Sequence, residues 1–339
     1  MTRVLLVADS GPEIGGGHVM RIATLAGALG ALGADCALLC PAHGARLARS
    51  LGLEGLELIE GPAAPSDLAD AARDRTADLV VFDHYRLGAG DHGRARAGRP
   101  AAAVDDLADR PLDVCLAVDL GPDRTAADYE GLLPAGARLC LGPRYALVRP
   151  EFAALRAERL GRGSGGAVHR LFVALGLTDV GGITGRVVSR LLPRMGQVRA
   201  DVVLAPEAPS RQVLELLAAR DPRLHLIDPT PDIAPVMAAA DLAIGAGGGS
   251  TWERCTLGLP TLLLVLAPNQ APSAEALARR GAAEVIDVSD PAFEALFDRA
   301  FTGLMSDAGR RRRLSERAAA LCDGRGAARA AEAVLALVD

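Results

Sequence analysis

The feature that most constrains this chain is a rhythm. Short, mainly apolar runs alternate with longer segments whose apolar residues recur every three or four positions. The runs fall at residues 4–8, 36–40, 56–59, 79–82, 101–104 and 114–118. Between the first two, Val19, Ile22, Ala23, Leu25, Ala26, Leu29 and Leu32 follow helical spacing. A strand that is apolar at every position has no face to offer water. It must lie in a parallel sheet covered by helices on both sides. The rhythm pauses in a Gly/Arg-rich stretch and restarts at 171–175, 200–204, 224–227, 242–245, 261–266 and 285–288, ending in an Ala/Arg/Leu/Glu-rich helical tail. A chain of 339 residues exceeds the size at which one core stops growing, about 250–300 residues. The expectation is α/β: two Rossmann-like, doubly wound parallel-sheet domains facing one another across a cleft. Residues 1–155 form the first, 156–168 a linker and 169–339 the second. In such sheets ligands sit outside the carboxyl ends of the strands.

Composition removes several function classes. A net charge of −5 argues against a nucleic-acid-binding surface, which needs a basic face. The run Arg310-Arg311-Arg312-Arg313 reads as a solvated helix face. Lysine is absent, which excludes Schiff-base chemistry and the lysine of a P-loop. Asparagine occurs once, at Asn269. The six cysteines (Cys36, Cys40, Cys115, Cys140, Cys255, Cys322) are scattered without a zinc or disulfide pattern and read as buried thiols of a reducing compartment. The chain opens on a strand-like run, and no apolar stretch reaches membrane-spanning length, so a cytoplasmic location without membrane partners is expected.

Three loops carry candidate chemistry. Gly15-Gly16-Gly17-His18 joins the first strand to the first helix. It lacks the GxGxxG order of dinucleotide sites. His18 near a helix N-terminus is kept neutral by the macrodipole and suits a general base, the alternative being a polar helix-start residue. Gly245-Ala246-Gly247-Gly248-Gly249-Ser250-Thr251 follows the 242–245 run, with Trp252-Glu253-Arg254 opening a helix. Consecutive amides there suit a diphosphate, with Ser250 or Thr251 as helix cap. Glu253 is placed for ribose hydroxyls, or else simply interacts with the helix dipole. Pro268-Asn269-Gln270 follows the 261–266 run as site residues or as a turn. Asp83-His84-Tyr85 and Asp105-Asp106 end strands; adjacent acids diverge, so a metal clamp is not expected. His43, His92, His169 and His225 show no ligand spacing.

Together these pieces resemble the pseudaminic-acid pathway hydrolases, which act on UDP-2,4-diacetamido-2,4,6-trideoxy-β-L-altropyranose. The likeness runs through Asp9-Ser10, Ile14 to His18, Arg21, Asp83-His84-Tyr85 and Asp105-Asp106. It continues through Asp128-Tyr129-Glu130-Gly131-Leu132, Tyr145 to Phe152, Thr178-Asp179, Glu253 and Asn269-Gln270. That family is similar in fold to the GT-B glycosyltransferases, including the peptidoglycan N-acetylglucosaminyltransferase. The resemblance implies water attack at the anomeric carbon with inversion, releasing UDP and the free sugar, in the pathway that supplies flagellin glycosylation. It implies no metal and no cofactor. By it, His18 activates the water and Glu253 holds the uridine ribose. The amides around Gly247, Gly248, Gly249, Ser250 and Thr251 hold the diphosphate. Gly16, Gly17, Arg21, Asp83, Tyr85, Thr178, Asp179, Asn269 and Gln270 complete the substrate site. Leu177 stands where the family usually has a second glycine, and Asp119 where asparagine is common. A GT-B transferase with a true acceptor, a hydrolysing UDP-N-acetylglucosamine 2-epimerase and a silent sugar-nucleotide-binding module remain the competing readings.

Overall fold

The computed structural model describes residues 1–11, 16–50 and 56–338. The chain divides into two compact units, residues 1–148 with 325–339, and 149–324.

The first unit is built on seven strands: β1 (Arg3–Ala8), β2 (Asp35–Pro41), β3 (Glu57–Gly61), β4 (Leu79–Asp83), β5 (Ala101–Val104), β6 (Leu116–Asp119) and β7 (Arg138–Leu141). All pair in parallel, in the order β3-β2-β1-β4-β5-β6-β7. Helices α1 (Gly17–Ala31), α2 (Ala42–Ser50), α3 (Pro65–Arg73) and α4 (Ala89–Arg96) make the crossovers. Strand β1 lies between β2 and β4, so the winding reverses there, with Ala8 opposite Asp83 at the carboxyl end. That reversal is where a doubly wound sheet opens a crevice.

The second unit holds six strands: β8 (Arg170–Ala174), β9 (Arg199–Val203), β10 (Leu224–Ile227), β11 (Leu242–Ala246), β12 (Thr261–Val265) and β13 (Glu284–Asp287). Their order is β10-β9-β8-β11-β12-β13, again all parallel, with the reversal between β8 and β11. Helices α5 (Pro150–Arg162), α6 (Ile183–Leu191), α7 (Arg211–Ala218), α8 (Ile233–Ala238), α9 (Ser250–Thr256), α10 (Ala271–Arg279), α11 (Phe293–Ser306) and α12 (Ala308–Leu321) accompany them. One core carries Phe293, Phe297 and Phe301, one turn apart on α11, against Leu171, Val173, Leu262 and Leu264 of the sheet. These buried strand residues are the apolar runs read from the sequence. The two-sheet α/β expectation therefore holds.

Two expectations about domain limits do not. The stretch taken as a linker is largely helix α5. Arg156 on that helix donates to the Thr256, Ala319 and Cys322 carbonyls at the ends of α9 and α12. The tail does not stay with the second unit either. Its last helix, α13 (Gly326–Leu335), packs on α1 of the first. Gly326 allows this, since a methyl there would come within 2.4 Å of the Ala146 backbone. Strand β7 was not among the runs read from sequence.

The all-arginine composition has a visible use. Arg99 donates to the carbonyls of Ala72, Arg75, Ala95 and Arg96, where α3 and α4 end. Arg162 donates to those of Ala238 and Ala239 at the end of α8. Arg311 reaches Leu304 and Met305 on α11. Each fork meets the carbonyls a helix leaves unpaired, at the negative end of its dipole.

Candidate active site

In the first unit, α1 starts right after the loop from β1, so His18 is its second residue, over the carboxyl end of β4. His18 is buried, and its Nδ1 lies 2.5 Å from Asp83 Oδ1. Burial alone would raise the Asp83 pKa, but the Arg21 guanidinium and His18 overcome it and hold the acid down to about 2. An ionised carboxylate only accepts hydrogen bonds, so Nδ1 must be the donor and Nε2 carries the free lone pair. That is the tautomer a general base requires. The Tyr85 ring meets the imidazole edge-on, with centroids 4.4 Å apart at 83°.

Arg21, one turn further along α1, donates to Asp83 through Nε (2.7 Å) and Nη2 (2.6 Å). Its Nη1 donates to Asp106 Oδ2 at 2.7 Å, beyond the end of β5. Arg21 and Asp83 were both expected to touch substrate. Asp83 is fully buried beneath the histidine, and all three Arg21 nitrogens are engaged by carboxylates. Asp106, read only as an unlikely metal ligand, proves to be the second anchor of that arginine. No local signal reveals this, because residues 21, 83 and 106 meet only through the strand order.

The two glycines before His18 differ in purpose. A methyl on Gly16 would come within 2.0 Å of Leu47 Cδ2, so this glycine lets the loop close onto α2; Gly17 faces open space. Gly15 lies outside the described residues. His84 is buried and accepts the Arg86 backbone N–H on Nδ1 at 3.1 Å. Nearby, the Tyr129 hydroxyl lies 2.9 Å from Asp105 and 2.8 Å from Asp119. Asp119, where asparagine was expected, is matched by Arg124, whose Nε donates to it at 2.6 Å.

In the second unit the glycine loop leaves β11 and turns into α9. Gly248 and Gly249 are exposed, and methyls on them would meet nothing within 4 Å. Their amides donate to no protein oxygen among the described residues, whereas those of Thr251 and Trp252 bond to the Gly248 and Gly249 carbonyls. Gly247 is a packing glycine, since a methyl there would sit 3.0 Å from Gln270 Cβ. Ser250 and Thr251 do not cap α9; Gly249 holds the cap position. Thr251 Oγ1 donates to the Ala246 carbonyl (3.2 Å) and accepts from Arg254.

Glu253 Oε1 accepts from Arg149 Nε at 2.9 Å, and the same guanidinium lies over the Phe152 ring. Asn269 is exposed beyond β12, while Gln270 Oε1 accepts the Leu266 N–H and ties off that strand. Beyond β8, half-buried Thr178 precedes Asp179, whose carboxylate accepts the Thr184 and Ser210 N–H groups at 2.8 and 2.9 Å. Asp179 is fully buried at a positive φ of 45°. It staples the turn and has no free oxygen face for a ligand. Gly176 ahead of it sits at φ +96°. The residues so assembled on unit two are Thr178, the Gly247–Gly249 run, Ser250, Glu253 and Asn269. Among the described residues no cluster of three or more His, Cys, Asp or Glu side chains could hold a metal, and no helix is long and apolar enough to cross a membrane.

Comparison with known proteins gives a consistent picture. No family model matches the chain. It is 23% identical over 289 residues to the UDP-2,4-diacetamido-2,4,6-trideoxy-β-L-altropyranose hydrolase of Campylobacter jejuni, covering 82% of this chain and 97% of that one. It is 28% identical over 148 residues to the spore coat polysaccharide biosynthesis protein SpsG of Bacillus subtilis, 43% of each chain, so less than half of that relative is spanned. Among solved structures, MurG of Acinetobacter baumannii superposes with a TM-score of 0.65 at 16% identity, over 99% of this chain and 100% of that one. At that identity the likeness speaks for the fold, which is the GT-B-like pair of Rossmann units.

Proposed function

We propose that this chain is an enzyme acting on a UDP-sugar, and that it hydrolyses UDP-2,4-diacetamido-2,4,6-trideoxy-β-L-altropyranose to UDP and the free sugar. The observation that carries the reading is the His18–Asp83–Arg21 arrangement, which leaves His18 Nε2 as a proton acceptor. The near full-length similarity to the Campylobacter jejuni hydrolase supplies the substrate class.

In this mechanism His18 Nε2 takes a proton from water as the water oxygen bonds to the anomeric carbon. The bond from that carbon to the diphosphate oxygen breaks on the opposite face, and its electron pair leaves with UDP. Attack opposite the leaving group inverts the anomeric centre. UDP is already a good leaving group, so the protein has to orient one water and stabilise developing diphosphate charge. The open amides of Gly248 and Gly249 and the Ser250 hydroxyl serve the second need. Glu253 Oε2 takes the ribose hydroxyls while Oε1 stays on Arg149. Tyr85 and Asn269 contact the sugar.

The test is incubation with this UDP-sugar and no acceptor, followed by proton NMR. Free sugar and UDP in equal amounts, with C2 configuration retained, support the hydrolase. UDP release only on adding a glycosyl acceptor would make it a transferase, and inversion at C2 an epimerase.

A further inference from the structure

Arg254 does not follow the pattern of Arg99, Arg162 and Arg311. It sits in the last turn of the short helix α9, yet its fork reaches back to oxygens at the start of that helix instead of the carbonyls at its end. Its side chain is 1% exposed. Nη1 donates to Ser250 Oγ at 2.9 Å; Nη2 donates to the Ala246 carbonyl at 2.7 Å and to Thr251 Oγ1 at 3.0 Å. Nε is buried without an acceptor. No carboxylate lies within ion-pair distance of this guanidinium among the described residues, and its sequence neighbour Glu253 is bound to Arg149 instead. Burial accordingly lowers the Arg254 pKa, to about 10. Gly245 makes room for it: a methyl there would lie 2.4 Å from Nη1. The three oxygens it holds flank the Gly247–Gly249 loop, exposed at Gly248 and Gly249, on both sides.

A buried cation without a counter-ion is costly unless something supplies the missing charge. We propose that Arg254 is the built-in counter-charge of a diphosphate, acting from behind the Gly247–Gly249 loop, so that the bound anion completes an ion pair the free protein leaves open. This rests on the UDP reading above and deepens it. The ligand chemistry is that of a nucleoside diphosphate, and the cation takes the part a divalent metal would otherwise play at the leaving group. Arg254 need not touch the phosphates. One charge held behind the loop in partly screened protein is worth on the order of ten- to a hundredfold in affinity for a dianion.

The experiment is calorimetric titration of wild type, Arg254→Gln and Arg254→Lys with UDP, UMP and uridine, with thermal unfolding of each variant alongside. Arg254→Gln should weaken UDP about ten- to a hundredfold and UMP less, and leave uridine unchanged. Arg254→Lys keeps the charge and should recover most of the UDP affinity. Equal losses for all three ligands, or failure of lysine to rescue a folded protein, would show a merely structural role and overturn the proposal. Should Arg254→Gln not fold, the lysine variant and the wild-type preference for UDP over uridine still decide; a wild type without that preference overturns it. UDP binding with this charge dependence, but without sugar release, would sink the hydrolase reading alone.

Discussion

The carboxyl ends of the two sheets each bury one arginine, and the two arginines are treated in opposite ways. Arg21 lies between Asp83 and Asp106, with every nitrogen that donates meeting a carboxylate. Arg254 meets only neutral oxygens. The first arrangement is electrostatically complete without any ligand; the second is not. This difference fits the separate tasks proposed for them. A general base must have its tautomer and orientation fixed before the substrate arrives, so its supporting charges are internal. An anion site gains most when the final charge comes with the ligand.

The largest effect that would break this comparison is on the base. Asp83→Asn removes the obligate acceptor at His18 Nδ1 and lets the ring adopt the other tautomer, so turnover should fall about 10²–10⁴-fold. Steady-state kinetics, with UDP affinity as control, reads this directly, and a loss smaller than threefold would mean that the pairing does not orient the histidine. Next comes stability. Arg21→Met leaves two carboxylates facing each other across an apolar side chain and should cost about 3–5 kcal/mol. Arg254→Met removes a cation that has no carboxylate to abandon, and should cost less than about 1 kcal/mol in the absence of ligand. Denaturant unfolding of both variants tests the contrast, and equal costs would erase it.

The smallest effect concerns acid. Burial, followed by the Arg110 charge, lowers His92 to about 4. The unfolded histidine, near 6.5, binds more protons than the folded one between those values, so stability drains away as pH falls from about 6.5 to about 4. Asp83 behaves differently: its lowered pKa gives a contribution that is full above the ordinary carboxylate range, about 3.9, and drains away as pH falls from there to about 2. His92 packs against Phe82 with ring centroids 4.4 Å apart, a setting that accepts phenylalanine. His92→Phe should therefore recover up to roughly 3 kcal/mol relative to wild type at pH 4 and much less at pH 7.5. Unfolding curves at the two pH values that shift in parallel would contradict this assignment.

Most of the architecture was legible in the sequence because a strand buried on both faces leaves an unbroken apolar run. Residues 101–104 coincide with β5, residues 224–227 with the half-buried edge strand β10 despite His225, and the other runs end within a residue or two of their strands. β7 escaped because it is a four-residue edge strand that begins on an exposed arginine. The supposed linker was misread from its glycines and charges. The forks of Arg156 and Arg162 there cap other helices, a use that composition does not reveal. The return of α13 to the first unit depends on the close approach of Gly326 to Ala146, 180 residues away, which no local pattern encodes. The site shows the same division. His18, Asp83 and the glycine loop each stood out by type and place, yet the pairing of His18 with Asp83 is set by the adjacency of β1 and β4. Arg254 gave no signal, since an arginine in the last turn of a helix is ordinarily exposed.

The central claim is that the base belongs to the first unit and UDP recognition to the second. His18→Ala tests it most directly, with turnover of the UDP-sugar and UDP affinity measured on the same preparation. The account predicts that turnover falls about 10²–10⁴-fold while the UDP dissociation constant stays within a factor of about two. Turnover that survives the substitution, or a loss of UDP affinity that matches the loss of turnover, would contradict it.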